Sequence, residues 1–236
     1  MTGVQTCALP IWTDPRSTIV TALGFGLAGW LIGGALVDLA QRAGLGKRDA
    51  GAVWQRFKGL PRAAFATMLA HVGLGITVIG ITGMSAWQTE LITSMHEGES
   101  RELAGYEVTL ASVDRVQGAN YVADRGTFVV ERDGREVASL ASERRQYVVE
   151  RQSTTEAGID ITLWRDVYVI LGEPTPDGRW TARLYHNPLV LWIWGGTVFM
   201  AVGAAVSLSD RRYRIGAPQP SRAKSPTPAA APAVGS

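Results

Sequence analysis

The stretch 68-MLAHVGLGITVIGIT-82 runs without a Lys, Arg, Asp or Glu and places one histidine, His71, among apolar residues. It lies inside a longer run from about Ala63 to Trp87, and two more runs match it. One extends from Ser17 to about Val37, STIVTALGFGLAGWLIGGALV, and the other from Pro188 to about Leu208. A helix needs ~20 apolar residues to cross a bilayer, and all three reach that length. The averages, 46% hydrophobic with a mean hydropathy of +0.07, hide this because the apolar residues are bunched rather than spread. The expected fold is an α-helical integral membrane protein with three transmembrane helices, over 17–40, 63–87 and 188–208. An all-β domain, 88–187, is inserted between the second and third.

Charge fixes the expected orientation. The segment 41–62 reads as a basic loop, with Arg42, Lys47, Arg48, Arg56, Lys58 and Arg62 against the single acid Asp49. Arg211, Arg212 and Arg214 follow the third run. Lys and Arg accumulate on the cytoplasmic side, so both segments are expected there and the acid-rich 88–187 on the opposite side. The N-terminus then lies outside and the C-terminus in the cytoplasm. The net charge of +2 conceals this split, and no basic stripe interleaved with aromatics suggests a nucleic-acid partner.

The ends carry their own signals. The first residues, 1-MTGVQTCALPIW-12, lack the basic start and long apolar core of a signal peptide. An outward N-terminus without an export signal is the expectation for a piece of a longer protein. The opening dozen also resemble translated cloning sequence, so residues 1–16 are set apart as non-native or disordered. The only cysteine, Cys7, goes with them, and one cysteine makes no internal disulfide. The tail 209–236 turns Pro/Ala/Ser-rich with no apolar period and is expected to be disordered.

The spans are rich in glycine. Read literally, 24-GFGLAG-29 matches a dinucleotide fingerprint, but no strand precedes it and it falls in mid-membrane. Gly29 and Gly33 instead form a GxxxG pair suited to close helix approach, and Gly73, Gly75, Gly80 and Gly83 are expected to do the same in the second span. In 88–187 the period changes. GYEVTLASV, GTFVVERDGREVASL, RQYVVERQ and GIDITLW alternate apolar with polar residues and favour Val, Ile, Thr and Tyr. Asp133-Gly134 between two such runs marks a hairpin turn. A small antiparallel sandwich or partly closed barrel is expected.

An ionisable side chain inside a span is costly and is by default a functional hypothesis. Even the neutral ring, left without a partner, would cost ~2–7 kcal/mol to bury. Thr67 and Gly75 share the helix face of His71 at i−4 and i+4. Gly73 and Gly75 are expected to leave an open flank for a flat ligand or another helix. Thr67 is expected to bond one ring nitrogen and so leave the other free for a metal. Three readings stay open at this point. One is an interhelical hydrogen bond. Another is a proton relay, for which only Asp38 near a span end offers a second group. The third is an axial ligand to haem iron, with Met200 in the third span as a conceivable second ligand.

The other histidines read differently. His96, in 95-MHEGES-100, is expected in a charged loop just beyond the second span, and the later positions rule out an HExxH zinc motif. His186, before Asn187 and Pro188, reads as interfacial. No GxSxG, P-loop or clustered Cys/His spacing is present, and no residue is assigned a catalytic role. The acid pairs Glu97 with Glu99 and Glu131 with Asp133 read as solvated strand faces.

At this point the residues resemble a known family. The run 69-LAHVGLGITVIGITG-83 is similar to the AHxG-containing span of the haem lyase subunit of cytochrome c maturation, CcmF (CycK). In order along the chain, 118-GANY-121, 143-ERRQY-147, 166-DVYVILGE-173 and 194-WGGTVFMAVGAAVSLSDRRYR-214 agree as well. The resemblance covers Thr18 to Arg214, the last third of the family. Ala119 stands where the family usually has proline and Ser142 is a second departure, which puts turn geometry in doubt.

The resemblance implies a bacterial inner-membrane protein that helps attach haem to CxxCH motifs of apocytochrome c at the periplasmic face. Its implied partners are other cytochrome c maturation subunits, a periplasmic haem chaperone and apocytochrome c, with membrane lipid around the spans. It also implies a bound b-type haem held between two histidines in membrane helices, besides haem as substrate. The position matching one of those histidines is His71, which makes His71 the expected ligand of the haem iron. The second ligand belongs to upstream parts of the family, so the chain alone is expected to be inactive. Thr67 as the residue orienting His71 follows from helical spacing, not from the resemblance. Trp164, Tyr168 and Trp180 are expected in an aromatic sheet core or on a partner surface. Alternatives are a non-catalytic membrane assembly module whose β domain recruits partners, and a haem transport component.

Overall fold

The computed structural model describes residues 15–149 and 152–210, and among these described residues it has four helices and nine strands. The order is α1 (Pro15–Ala43), α2 (Ala50–Lys58), α3 (Arg62–Trp87), β1 to β9 between Thr89 and Pro188, then α4 (Val190–Leu208). Three helical stretches, Ser17–Ala43, Arg62–Trp87 and Val190–Leu208, are long and apolar enough to cross a membrane. The opening dozen and residues 211–236 lie outside the described residues, and with them Arg211, Arg212 and Arg214, which carried part of the orientation argument.

α3 is the central helix, and glycines set its distances to both neighbours. A methyl group added at Gly73 would lie 2.6 Å from the Gly196 carbonyl oxygen and 2.8 Å from the Met200 nitrogen of α4. One added at Gly80 would meet Ile193 at 2.7 Å, and one at Gly203 would meet the Ala66 carbonyl oxygen at 2.9 Å. On the other side, a methyl at Gly75 would stand 2.5 Å from Ile32 of α1, and Gly24 of α1 faces Thr82. Small residues let backbones approach closely, which in lipid is the main source of helix association. Gly29 and Gly33, in contrast, have nothing within 4 Å, so the GxxxG pair faces no helix among the described residues.

Two features tie off the ends of this helix layer. At one end Asp210, buried just beyond α4, accepts a hydrogen bond from the Ala63 nitrogen at 3.2 Å. A carboxylate there satisfies a free N–H of the first turn of α3 and opposes the helix dipole. At the other end Phe25 and Trp87 stack at 5.6 Å.

The 41–62 segment differs from its expectation as a loop, because Ala50–Lys58 forms a helix. Its nine residues carry no buried side chain, and Phe57 meets Phe65 of α3 edge-on at 5.2 Å.

The β domain is a sandwich of two antiparallel sheets, ordered β1-β9-β8-β7 and β2-β3-β4-β5-β6. Here β1 is Thr89–Met95, β2 Ser100–Leu103, β3 Tyr106–Gln117, β4 Tyr121–Arg132 and β5 Arg135–Tyr147. The rest are β6 Ser153–Glu156, β7 Gly158–Ile161, β8 Arg165–Pro174 and β9 Trp180–Pro188. Alternating residues turn inward, among them Val108, Leu110, Phe128, Val130, Val167, Val169, Leu171 and Leu184, all fully buried. Asp133 and Gly134 hold φ of 52° and 71°, the geometry of the tight hairpin turn between β4 and β5.

Ser142 lies mid-strand opposite Gly126 rather than in a turn. Its hydroxyl donates to the Glu156 carbonyl oxygen at 2.8 Å and accepts from the Leu171 nitrogen at 2.9 Å, joining the two sheets through a fully buried side chain. The sandwich meets the helices through two short joints, Gln88 after α3 and Leu189 before α4. Leu189 adopts a positive φ of 58°, and its nitrogen bonds the Trp164 carbonyl oxygen at 2.9 Å. The sandwich therefore sits at one end of α3 and α4, and α2 sits at the other.

Candidate functional site

His71 lies in the third turn of α3, and its position follows from which faces of that helix are covered. α4 packs on the face of Ala66, Gly73, Thr77 and Gly80, and α1 packs on the face of Gly75 and Thr82. Between them runs a strip at the i, i+4, i+7 spacing of one helix face, Thr67, His71, Leu74, Val78, Ile81 and Ser85. All of these are exposed except Val78, which is half-buried. The open flank is therefore this strip. It is not the flank of Gly73 and Gly75, which α4 and α1 fill.

The ring of His71 is tied to its own helix. Nδ1 lies 2.8 Å from the Thr67 carbonyl oxygen. A carbonyl oxygen only accepts, so Nδ1 donates and in the neutral ring carries the proton. Nε2 then holds the lone pair, and it has no partner among the described residues. The Thr67 side chain plays another part than expected. Its hydroxyl donates to the Ala63 carbonyl oxygen at 3.0 Å, and the backbone of Thr67, not its side chain, orients the imidazole. A ring fixed through one nitrogen with the other free is able to ligate a metal.

The other candidates fall elsewhere. Met200 packs on Gly73, on the α4-covered face, and the structure does not bring it to His71. Asp38 is engaged with Arg42 at 2.7 Å, so the proton-relay reading loses its second group. His96 follows the end of β1 at the far end of that strand, not just beyond the span; its backbone N–H donates to the Glu99 carboxylate at 2.8 Å. Glu99 also pairs with Arg101, and the carboxyl is held below its usual range first by the His96 N–H and then by Arg101. No group of three or more His, Cys, Asp or Glu suited to a metal occurs among the described residues.

His186 is interfacial in position and half-buried. It pairs in register with Thr89 and Val167, at the end of the sandwich nearest the helices, and its ring lies 5.7 Å from that of Tyr106. Burial, then Arg165 and Arg132, push it below the ordinary histidine value. Arg132 and Arg165 both donate to the Tyr106 hydroxyl at 3.1 Å, and Arg165 also pairs with Asp160. Sequence reasoning gave no sign of this cluster, because Tyr106, Arg132, Arg165 and His186 come from β3, β4, β8 and β9. Tyr168 stacks edge-on with Tyr185 across β8 and β9, and Trp180 packs against the sandwich core. Trp164 differs from the core expectation: it is 64% exposed, beside Trp192 at 5.9 Å.

Residues 86–188 match the model of the CcmF C-terminal β-sandwich. The cytochrome c-type biogenesis protein CycK of Rhizobium meliloti is 43% identical over 93% of this chain and 32% of its own length. The cytochrome c-type biogenesis protein ccl1 of Rhodobacter capsulatus is 43% identical over 88% of this chain and 31% of its own. CcmF of Escherichia coli is 33% identical over 90% and 31%. A solved structure of the cytochrome c haem lyase CcmF aligns over 83% of this chain and 35% of that chain. Its TM-score is 0.61 at 16% identity, a likeness of fold. The chain spans about a third of the length of the curated relatives it matches. Its membrane helices together with these relatives point to the inner membrane. By sandwich, helices and sequence, the chain belongs to the CcmF/CycK family of cytochrome c biogenesis proteins and corresponds to that family's C-terminal part.

Proposed function

We propose that this chain is the C-terminal part of a haem lyase subunit of cytochrome c maturation, and that His71 supplies one axial ligand to a b-type haem in the membrane. The observation that carries the reading is the state of the ring. Nδ1 is bonded to Thr67 of its own helix, and Nε2 is unpartnered on the one strip of α3 that α1 and α4 leave open. The residues present fit such a group. Thr67 lies one helical turn before the histidine, and Leu74, Val78 and Ile81 continue the strip with apolar side chains.

A haem held there by His71 would supply a one-electron couple. The protein's own contribution is to fix the imidazole tautomer through the Thr67 carbonyl and to surround it with apolar side chains. The second ligand is assigned to the part of the family's length that this chain does not span.

The orientation follows the charge. Arg42, Lys47, Arg48, Arg56, Lys58 and Arg62 cluster at the end opposite the sandwich, which supports a cytoplasmic α2 and a periplasmic β domain. The sandwich then docks maturation subunits, the haem chaperone or apocytochrome c. Haem attachment takes place beside it.

The test is cytochrome c maturation in cells that carry the full-length protein with His71→Gln or His71→Ala. Glutamine keeps an N–H for the Thr67 carbonyl and loses the imidazole ligand. Both variants are expected to fail. Normal maturation with His71→Gln would reduce the histidine to helix packing and favour an assembly module.

A further inference from the structure

We propose that α2 and the turn before it form a binding site for an anionic phospholipid of the bilayer leaflet on that side. The sequence of α2 is amphipathic at short range. Ala50, Val53, Trp54 and Phe57 recur at i, i+3, i+4 and i+7 and share one face, while Arg56 and Lys58 flank it. That face is only partly covered, with Ala50 and Trp54 exposed and Val53 and Phe57 half-buried. With Leu45 and Arg48 it lines a groove of about 400 Å³ whose walls are almost wholly apolar. Leu45 is 64% and Trp54 57% exposed. Phe57 touches Phe65, which lies in the first turn of α3, so the groove opens at the level where the apolar span begins. An amphipathic helix with aromatic residues on one side and basic residues beside them is suited to the headgroup boundary of a membrane.

The charges specify the headgroup. Gly44 ends α1 with φ of +84°, and its α-carbon faces both Arg48 and Arg56. A methyl group built there would lie 3.6 Å from Arg48 Nε and 3.6 Å from Arg56 Nη1. Two like charges thus converge at one point, at the negative end of the α1 dipole. Neither has a carboxylate partner among the described residues. Lys58 is engaged with the Trp54 ring at 4.8 Å, and Lys47 adds a further positive charge next to Arg48 in the sequence. A phosphate diester between two guanidiniums satisfies both with charge-assisted bonds. The adjoining apolar groove takes an acyl chain, which a free phosphate does not have. Charge complementarity and the groove together therefore select an anionic phospholipid.

The experiment reconstitutes the intact chain in phosphatidylcholine bilayers that contain matched amounts of dibrominated phosphatidylglycerol or dibrominated phosphatidylcholine. Quenching is read as the difference between the wild type and Trp54→Phe, which isolates Trp54. Phosphatidylglycerol is expected to be preferred about fivefold or more, and the preference should shrink at high salt. Arg48→Gln/Arg56→Gln should equalise the two lipids, and Arg48→Lys/Arg56→Lys should restore the preference, which separates lost charge from lost folding. Equal quenching in the wild type overturns the proposal, as does a preference that survives in the glutamine variant. Absence of quenching by either lipid also overturns it.

Discussion

The α3–α4 seam can be tested at a single glycine. A β-carbon at Gly73 would stand 2.6 Å from the Gly196 carbonyl oxygen, 2.8 Å from the Met200 nitrogen and 2.9 Å from Met200 Cγ. Two of these three atoms belong to the α4 backbone, so no rotamer change makes room. The helices must part by several tenths of an ångström along the seam. Overpacking of this kind costs ~1–3 kcal/mol. Gly→Ala also gains up to about 1 kcal/mol of helix propensity, which would blur the result. Gly33→Ala supplies the control, because Gly33 has nothing within 4 Å and takes the same gain. The assay is reversible unfolding of the purified chain in mixed micelles, followed by far-ultraviolet circular dichroism. Gly73→Ala is expected to be less stable than Gly33→Ala by ~1–3 kcal/mol. Equal stabilities of the two variants would refute the seam as the contact that joins α3 to α4.

Other expectations concern the sandwich. Ser142→Ala removes the acceptor of the buried Leu171 N–H and should cost ~1–3 kcal/mol in denaturant unfolding, while Ser139→Ala, exposed on the same strand, should cost little. Glu143 binds Arg125 and Arg145, at 2.8 Å to the latter, and Arg145 chiefly holds its carboxyl below the usual range. Glu143→Gln should therefore lower stability by ~1–3 kcal/mol at neutral pH. The loss should vanish in acid, because stability from a depressed carboxyl is present above its ordinary 4.5 and disappears as pH falls through the folded value. His186 titrates with a depressed value beside Tyr106, Arg165 and Arg132, so the unfolded chain binds the proton more readily. Stability should fall as pH drops below the ordinary 6.5, and the difference in slope between the wild type and His186→Phe isolates that contribution.

Much of the architecture is legible because it depends on one-dimensional patterns. Uninterrupted apolar length marks the spans, alternation marks the strands, and Asp133-Gly134 marks its hairpin. What depends on neighbours is not. GxxxG spacing at Gly29 and Gly33 tells that a helix can approach, but the contacts of α1 run through Gly24, Ala28 and Ile32 instead. The helix α2 escapes notice because one amphipathic stripe of nine residues is hard to tell from a basic loop, and it buries nothing.

The candidate site divides the same way. His71 stands out because a polar ring interrupts an apolar run. Its open flank lies one face away from the glycines expected to provide it. The Thr67 hydroxyl turns back to the carbonyl four residues earlier, as hydroxyls in helices commonly do, and leaves the backbone carbonyl to hold the ring. The cluster around Tyr106 and His186 draws on four strands and leaves no trace in any local motif.

The central claim is that the free nitrogen of His71 binds haem iron. The most direct measurement is reduced-minus-oxidised absorbance of the purified full-length protein, with His71 intact and with His71→Ala, at matched expression. A b-type signal is expected in the first and its loss in the second. An unchanged signal in His71→Ala would contradict the claim.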